Sequence, residues 1–216
     1  MNTNKPIKHI CFDLDGTLVD SYTTIYKTTL KTLEHFNIPD QLEAQEFYKR
    51  IGHHFLNIFQ DLKIDVPDIE HFINIYKNFY FDFIDDSKLY SGVENVLKQL
   101  NENEIKISLL TTKGQSQAEN IIEHFNLHKY FSYIMGRRIG MPIKPSGEPL
   151  EIICKEINVL PAYTLMIGDS ELDIQCGKNA SAKTCGVIYG YRAIEELKKE
   201  NPDFLISELN EILQLI

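Results

Sequence analysis

Short apolar runs rich in β-branched and aromatic residues recur along the chain at Ile7–Leu14, Ile105–Thr112, Phe131–Gly136, Tyr163–Asp169, Thr184–Gly190 and Asp203–Ile206. Polar or glycine-containing segments bound each of them, so the pattern predicts strands. Between most of these runs apolar residues return every three or four positions. That period predicts helices over Gly92–Asn101, Gln115–Phe125, Pro149–Glu156, Asp173–Asn179 and Ala193–Glu200. Strands that are apolar at nearly every position, alternating with helices, imply an α/β fold. The expectation is a Rossmann-like three-layer core whose parallel sheet is covered on both faces.

One stretch breaks the alternation. From Val19 to about Lys88 the pattern is helical throughout, with Ile25, Leu30, Leu33 and Phe36 at helical spacing, then further helical runs over Phe47–Leu62 and Ile69–Ile84 and no convincing strand. So long a helical stretch between the first and second strands reads as an inserted subdomain rather than a crossover. The expected division is a core of residues 1–18 and 89–216 with a helical insert of residues 19–88. The aromatics of the insert (Tyr48, Phe55, Phe59, Phe72, Tyr76, Phe79, Tyr80, Phe81 and Phe83) are expected to form its own small core.

Composition narrows the function classes. An apolar fraction of 43% with 25% charged residues excludes a disordered or collagen-like chain. The 31 acidic against 22 basic residues leave a net charge of −9, which argues against a nucleic-acid or membrane-surface partner. No apolar run reaches the length of a membrane span, and the N-terminal stretch lacks the apolar core of a signal peptide, so a cytoplasmic location is expected. Cys11, Cys154, Cys176 and Cys185 are scattered without a CxxC pair, which signals neither a disulfide framework nor a cysteine zinc site.

The chemistry concentrates at strand ends. Asp13 and Asp15 emerge together from the first strand, and Gly16 then lets the chain turn. Two like charges held side by side are costly unless a cation or proton neutralises them, so the pair itself points to function. A second acidic set, Asp169 and Asp173 within Gly168-Asp169-Ser170-Glu171-Leu172-Asp173, follows another apolar strand. Between the two sets stand Thr111-Thr112-Lys113 at the end of the second strand and Lys144-Pro145 before a helix, a hydroxyl and an ammonium suited to an anion. Taken singly, Thr111 reads as a helix cap and Lys144 as a surface lysine. The order of the whole set carries the weight: carboxylate pair, hydroxyl, lysine, carboxylate pair.

That ordered set resembles the haloacid dehalogenase (HAD) superfamily of hydrolases, in its phosphoglycolate phosphatase-like branch. Asp13-Leu14-Asp15-Gly16-Thr17, Thr111, Lys144 and the Gly168–Asp173 segment match its four signatures, and the helical insert falls where the family's cap falls. The resemblance implies that Asp13 is the nucleophile of an aspartyl-phosphate mechanism and that Asp15 protonates the leaving group and later activates water. It implies Mg²⁺ held by Asp13, the Asp15 backbone carbonyl, Asp169 and Asp173. It implies a phosphate cradle of Gly16, Thr17, Thr111, Thr112 and Lys144, with a helix N-cap as the competing role for Thr17. Substrate-specificity candidates are Arg50, His53 and His54 in the insert and Arg137 and Arg138 after the third strand.

The implied activity is a Mg²⁺-dependent phosphatase for a small phosphorylated metabolite, with phosphoglycolate as the default substrate and a monomer or homodimer as the assembly. Inorganic pyrophosphatase and nucleotidase are the alternatives within the superfamily. An aspartyl-phosphate switch or a phospholigand-binding module is the non-enzymatic alternative. Asp15 separates the chain from the family's dehalogenases, whose leaving halide needs no proton. In Arg50-Ile51-Gly52-His53-His54-Phe55 no lysine follows the glycine, which separates it from the family's Schiff-base phosphonate hydrolases.

Overall fold

The computed structural model describes residues 5–39 and 42–216. The chain divides into two compact units, one of Met1–Leu18 with Leu89–Ile216 and one of Val19–Lys88.

The first unit is built on a six-stranded parallel sheet. Its strands are β1 (His9–Phe12), β4 (Lys106–Gly114), β5 (Tyr133–Arg137), β6 (Thr164–Gly168), β7 (Lys183–Val187) and β8 (Phe204–Ile206), in the order β5-β4-β1-β6-β7-β8. All six coincide with the apolar runs that predicted strands, β4 and β5 running two residues and one residue past the ends of theirs and β7 starting one residue before its own. Among the described residues its α-helices are α5 (Val93–Glu102), α6 (Gln115–His124), α7 (Glu148–Glu156), α8 (Glu171–Asn179) and α9 (Ile194–Lys199), each within two residues of its predicted start and end.

Alternation along the strands divides the core between two faces. Cys11, Leu110, Met135 and Met166 pack with Leu150, Ile153 and Cys154 of α7 and Cys176 of α8 on one side. The intervening residues Ile10, Phe12, Leu109, Leu165 and Ile167 are equally buried and point the other way. Helix α5 meets the core with Val93, Val96, Leu97 and Leu100, the i, i+3, i+4, i+7 stripe of an amphipathic helix. One polar line crosses the interior: buried His9 bonds Thr164 Oγ1 through Nδ1 at 3.0 Å and Ser108 Oγ through Nε2 at 2.7 Å, linking β1 to both neighbours.

The second unit contains α1 (Tyr22–His35), α2 (Ala44–Tyr48), α3 (Phe55–Leu62) and α4 (Ile69–Tyr80), followed by a 3₁₀ turn over Phe81–Asp86. The expected continuous run over Phe47–Leu62 is broken in two, and Gly52, with φ 99°, sits in the break. Two strands of two residues each, β2 (Val19–Asp20) and β3 (Lys88–Leu89), pair with one another and are too short to show a period in the sequence. Phe55, Phe59 and Phe72 meet ring to ring at 5.0–5.5 Å, with Tyr76 4.8 Å from Phe55, so these aromatics form the unit's core. Helix α1 buries Thr24, Thr28, Thr29 and Thr32 beside Ile25 and Leu33. The hydroxyls of Thr28, Thr29 and Thr32 donate to carbonyls one turn back, which satisfies them without a core partner.

Candidate active site

Strand order places the site. From β1 the chain steps outward through β4 to β5, then returns to the other flank of β1 to lay down β6, β7 and β8. The direction of winding reverses between β1 and β6, and ligands of open α/β sheets bind at the carboxyl ends of strands at such a point. Register sets the depth. Phe12 pairs with Leu109 and Ile167, and the Asp13 N–H donates to Ile167 O at 2.8 Å. Asp13 therefore stands level with Leu110 and Gly168, and Thr111 and Asp169 follow one residue farther out.

Three carboxylates and one ammonium converge there. Asp13, Asp169 and Asp173 are buried and place one oxygen each within 4.8 Å of one another. Lys144 Nζ donates to Asp13 Oδ1 and to Asp173 Oδ1, both at 2.6 Å, with 3% of its side chain exposed. The other oxygen of Asp173 accepts from Ser170 N–H at 3.1 Å and Ser170 Oγ at 2.6 Å, the reciprocal cap that starts α8. Asp169 Oδ2 accepts from Tyr191 N–H at 2.7 Å. Among the described residues, Asp13 Oδ2 and Asp169 Oδ1 accept no hydrogen bond.

Burial pushes the carboxyl of Asp13 up from its ordinary range, and Asp173 and Asp15 push it the same way against the pull of Lys144. Asp169 is raised likewise, by burial first and then by Asp13 and Asp173. Burial by itself would lower the Lys144 ammonium, but its two carboxylate partners outweigh that and the net direction is up. Three carboxylates against one ammonium leave two negative charges, and two carboxylate oxygens stand without a protein donor. An oxygen-only donor set with that charge fits a hard divalent cation such as Mg²⁺.

Backbone geometry makes room for this packing at glycines, Gly16 and Gly168 among them. Gly16 has φ 81°, and a Cβ there would lie 2.2 Å from Asp169 Oδ2. A Cβ on Gly168 would lie 2.1 Å from Asp173 Cγ. Both positions demand glycine because a site carboxylate occupies the space of a side chain.

A family model described as haloacid dehalogenase-like hydrolase matches residues 10–187. The chain belongs to that family. It is 36% identical over 214 residues to the "Putative pyrophosphatase PpaX" of Clostridium perfringens, covering 97% of each chain. It is 28% identical over 211 residues to the Pyrophosphatase PpaX of Bacillus cereus strain Q1, covering 97% of this chain and 96% of the other. A crystal structure titled as a predicted phosphoglycolate phosphatase from Haemophilus somnus superposes with a TM-score of 0.86 over 97% of each chain at 24% identity, a likeness of fold. The chain is thus a haloacid dehalogenase-like hydrolase, an enzyme, with the α/β fold its strand and helix pattern predicts. Among the described residues no helix is long and apolar enough to cross a membrane.

Within this hydrolase the expected site residues fall into two groups. Asp13, Asp169, Asp173 and Lys144 lie together as described. Asp15 stands beside them with 12% of its side chain exposed, 3.2 Å from Lys113 Nζ through Oδ2. Thr111 is buried, and its Oγ1 accepts from the Lys113 N–H at 3.2 Å, which leaves its own proton for an anion. It lies inside β4 and caps no helix, since Gly114 holds that position for α6. Thr17 is no cap either: α1 starts after Ser21, while buried Thr17 receives Tyr189 OH on its carbonyl at 2.9 Å.

The specificity candidates are engaged locally. In the helical unit, Arg50 donates through Nη1 to Glu46 O at 2.6 Å and Glu46 Oε2 at 2.8 Å, and His54 caps α3 by accepting from Leu56 N–H. His53 is half-buried on the same turn. In the sheet unit, Arg137 ends β5 and exposed Arg138 donates through Nε to Gln115 Oε1 at 3.2 Å. Sequence reasoning missed the structural parts of Ser170, Tyr191 and Lys113. Ser170 and Lys113 are visible as neighbours of motif residues, whereas the Tyr191 N–H comes from the main chain and leaves no trace in residue type.

Proposed function

We propose that this hydrolase is a Mg²⁺-dependent phosphatase acting on a small phosphorylated metabolite through an aspartyl-phosphate. The observation that carries the reading is the Lys144 bridge between Asp13 and Asp173, which orients the Asp13 carboxylate and leaves its other oxygen, with one from Asp169, to a cation that the two excess negative charges of the cluster call for. Mg²⁺ would be held by Asp13, the Asp15 carbonyl and Asp169, with Asp173 behind them, and would neutralise charge between phosphate and carboxylates.

The chain's own groups then divide the work. Asp13 attacks phosphorus, and the bond from phosphorus to the leaving oxygen breaks. Asp15 supplies the proton that the departing oxygen needs and recovers one from water when the acyl phosphate is cleaved. Thr111, Thr112, Thr17 and the amides following Gly16 orient the phosphoryl oxygens, while Lys144 holds Asp13 in line. The helical unit serves in this reading as the selector of the leaving group, with Arg50, His53 and His54 as its candidates. Phosphoglycolate is the default substrate. Pyrophosphate is the second reading, favoured by the names of the relatives at 36% and 28% identity.

The test is release of phosphate from an aryl phosphate in Mg²⁺, stopped by EDTA and lowered at least roughly a thousandfold by Asp13→Asn. An active Asp13→Asn variant refutes the nucleophile. Stoichiometric phosphorylation without turnover would favour a switch instead.

A further inference from the structure

The mechanism proposed above uses Lys144 but leaves a second nearly buried ammonium unexplained. Lys113 Nζ lies 3.2 Å from Asp15 Oδ2, with 7% of the lysine side chain exposed. Its placement follows from an irregular end of β4. Leu110 pairs with Met135 and Gly114 with Arg137, so three residues of β4 stand opposite the single residue Gly136. Extra residues in one strand bulge it out of the ladder and re-aim their side chains. Thr111 accordingly accepts from the Lys113 N–H, and the lysine reaches across β4 to the carboxyl end of β1.

Asp15 is the group assigned to the departing oxygen, so whatever stands against Asp15 stands beside the leaving group. A compact ammonium kept out of water is costly unless it serves an anion. Two other cations of this unit are committed elsewhere: Lys144 bridges Asp13 and Asp173, and Arg138 is tied to Gln115. Arg192 donates through Nε to Glu171 Oε2 at 2.9 Å, with its Nη1 and Nη2 buried and without a partner among the described residues.

We propose that Lys113 reads the charge of the leaving group. The preferred substrates are phosphate esters or anhydrides whose departing part itself carries a negative charge next to the bridging oxygen, a carboxylate-bearing alcohol or a second phosphate. This rests on the phosphatase reading and narrows its substrate class. Through Asp15 the ammonium lies within roughly 5–6 Å of the bridging oxygen, so an anion one or two bonds beyond that oxygen comes into its range.

The full-length protein in Mg²⁺ buffer is assayed for kcat/KM on 2-phosphoglycolate, its neutral amide, inorganic pyrophosphate and ethyl phosphate. The wild type is expected to favour phosphoglycolate over the amide by at least about tenfold. Lys113→Met is expected to lose about thirtyfold or more on phosphoglycolate and pyrophosphate, and at least about tenfold less than that on the amide and ethyl phosphate. Lys113→Arg restores most of the preference. Equal losses on all four substrates, or losses that grow with the basicity of the leaving group, would mean that Lys113 only steadies Asp15, and would overturn the proposal. So would a wild type that treats phosphoglycolate and its amide alike, a comparison that stands even where Lys113→Met fails to fold. A wild type that releases no phosphate from any of the four brings down the phosphatase reading itself.

Discussion

Replacing Lys144 by methionine removes the one ammonium shared by Asp13 and Asp173 and keeps most of the side-chain volume. The lysine is 3% exposed and its two bonds are 2.6 Å long, whereas its partners are 9% and 0% exposed. Breaking a buried ion pair from one side costs about 3–5 kcal/mol, because the remaining charge is left unpaired. Here the low end applies: Asp173 keeps two bonds from Ser170, and the methionine adds apolar burial. We expect a loss of about 3 kcal/mol at pH 8 in EDTA.

The sign of the pH dependence follows from the carboxyls. Burial and mutual repulsion already raise those of Asp13 and Asp169, and loss of the ammonium raises Asp13 further. The folded variant then binds protons that the unfolded chain has released, so its stability falls as pH rises. The deficit should shrink by about 1–2 kcal/mol between pH 8 and pH 5.5. Added Mg²⁺ should also narrow it, because three carboxylates without the ammonium attract a dication more strongly than the wild-type set does. The chain has no tryptophan, so urea unfolding is followed by far-UV circular dichroism and tyrosine fluorescence. A deficit below about 1 kcal/mol, or one unchanged by both pH and Mg²⁺, would refute the view that Lys144 neutralises this cluster.

Further outcomes follow from other positions. Gly16→Ala puts a Cβ 2.2 Å from Asp169 Oδ2 at φ 81°, so it should cost at least about 1 kcal/mol and weaken the Mg²⁺-induced rise in melting temperature. A variant with wild-type melting behaviour in both EDTA and Mg²⁺ would contradict the close approach. His9 is held neutral, its pKa lowered from 6.5 to about 3 by burial first and Lys106 second. Below pH 6.5 the unfolded chain takes up a proton that the folded chain refuses, so stability should fall by about 2 kcal/mol between pH 6.5 and pH 5. His9→Gln should flatten that slope in urea titrations, and an unchanged slope would assign the acid sensitivity to other groups.

Legibility in the sequence varied with the kind of signal. Strands β1, β4 and β6 announce themselves because both faces of a parallel sheet are covered, which forces continuous apolar runs. The threonines of α1 hid most of its buried face, since a hydroxyl bonded to its own helix can be buried without looking apolar. The break between α2 and α3 was equally hidden, because Phe55, Ile58 and Phe59 continue a plausible helical stripe past Gly52. At the site, carboxylate spacing identified Asp13, Asp15, Asp169 and Asp173 as candidates. It said nothing of Lys113 beyond its place after two threonines.

By itself, the sequence determined the class of fold and the family, because apolar period and a fixed order of polar residues at strand ends are local properties of the chain. Only the tertiary structure decided how those residues meet. Lys144 reaches two aspartates that lie 131 and 29 residues away along the chain. Lys113 meets Asp15 through a bulge visible only in strand pairing. The charge left for a dication likewise depends on which carboxylate oxygens other groups have already engaged. Distance and solvent exclusion set those interactions, and both come into being only when strands remote in sequence are laid side by side.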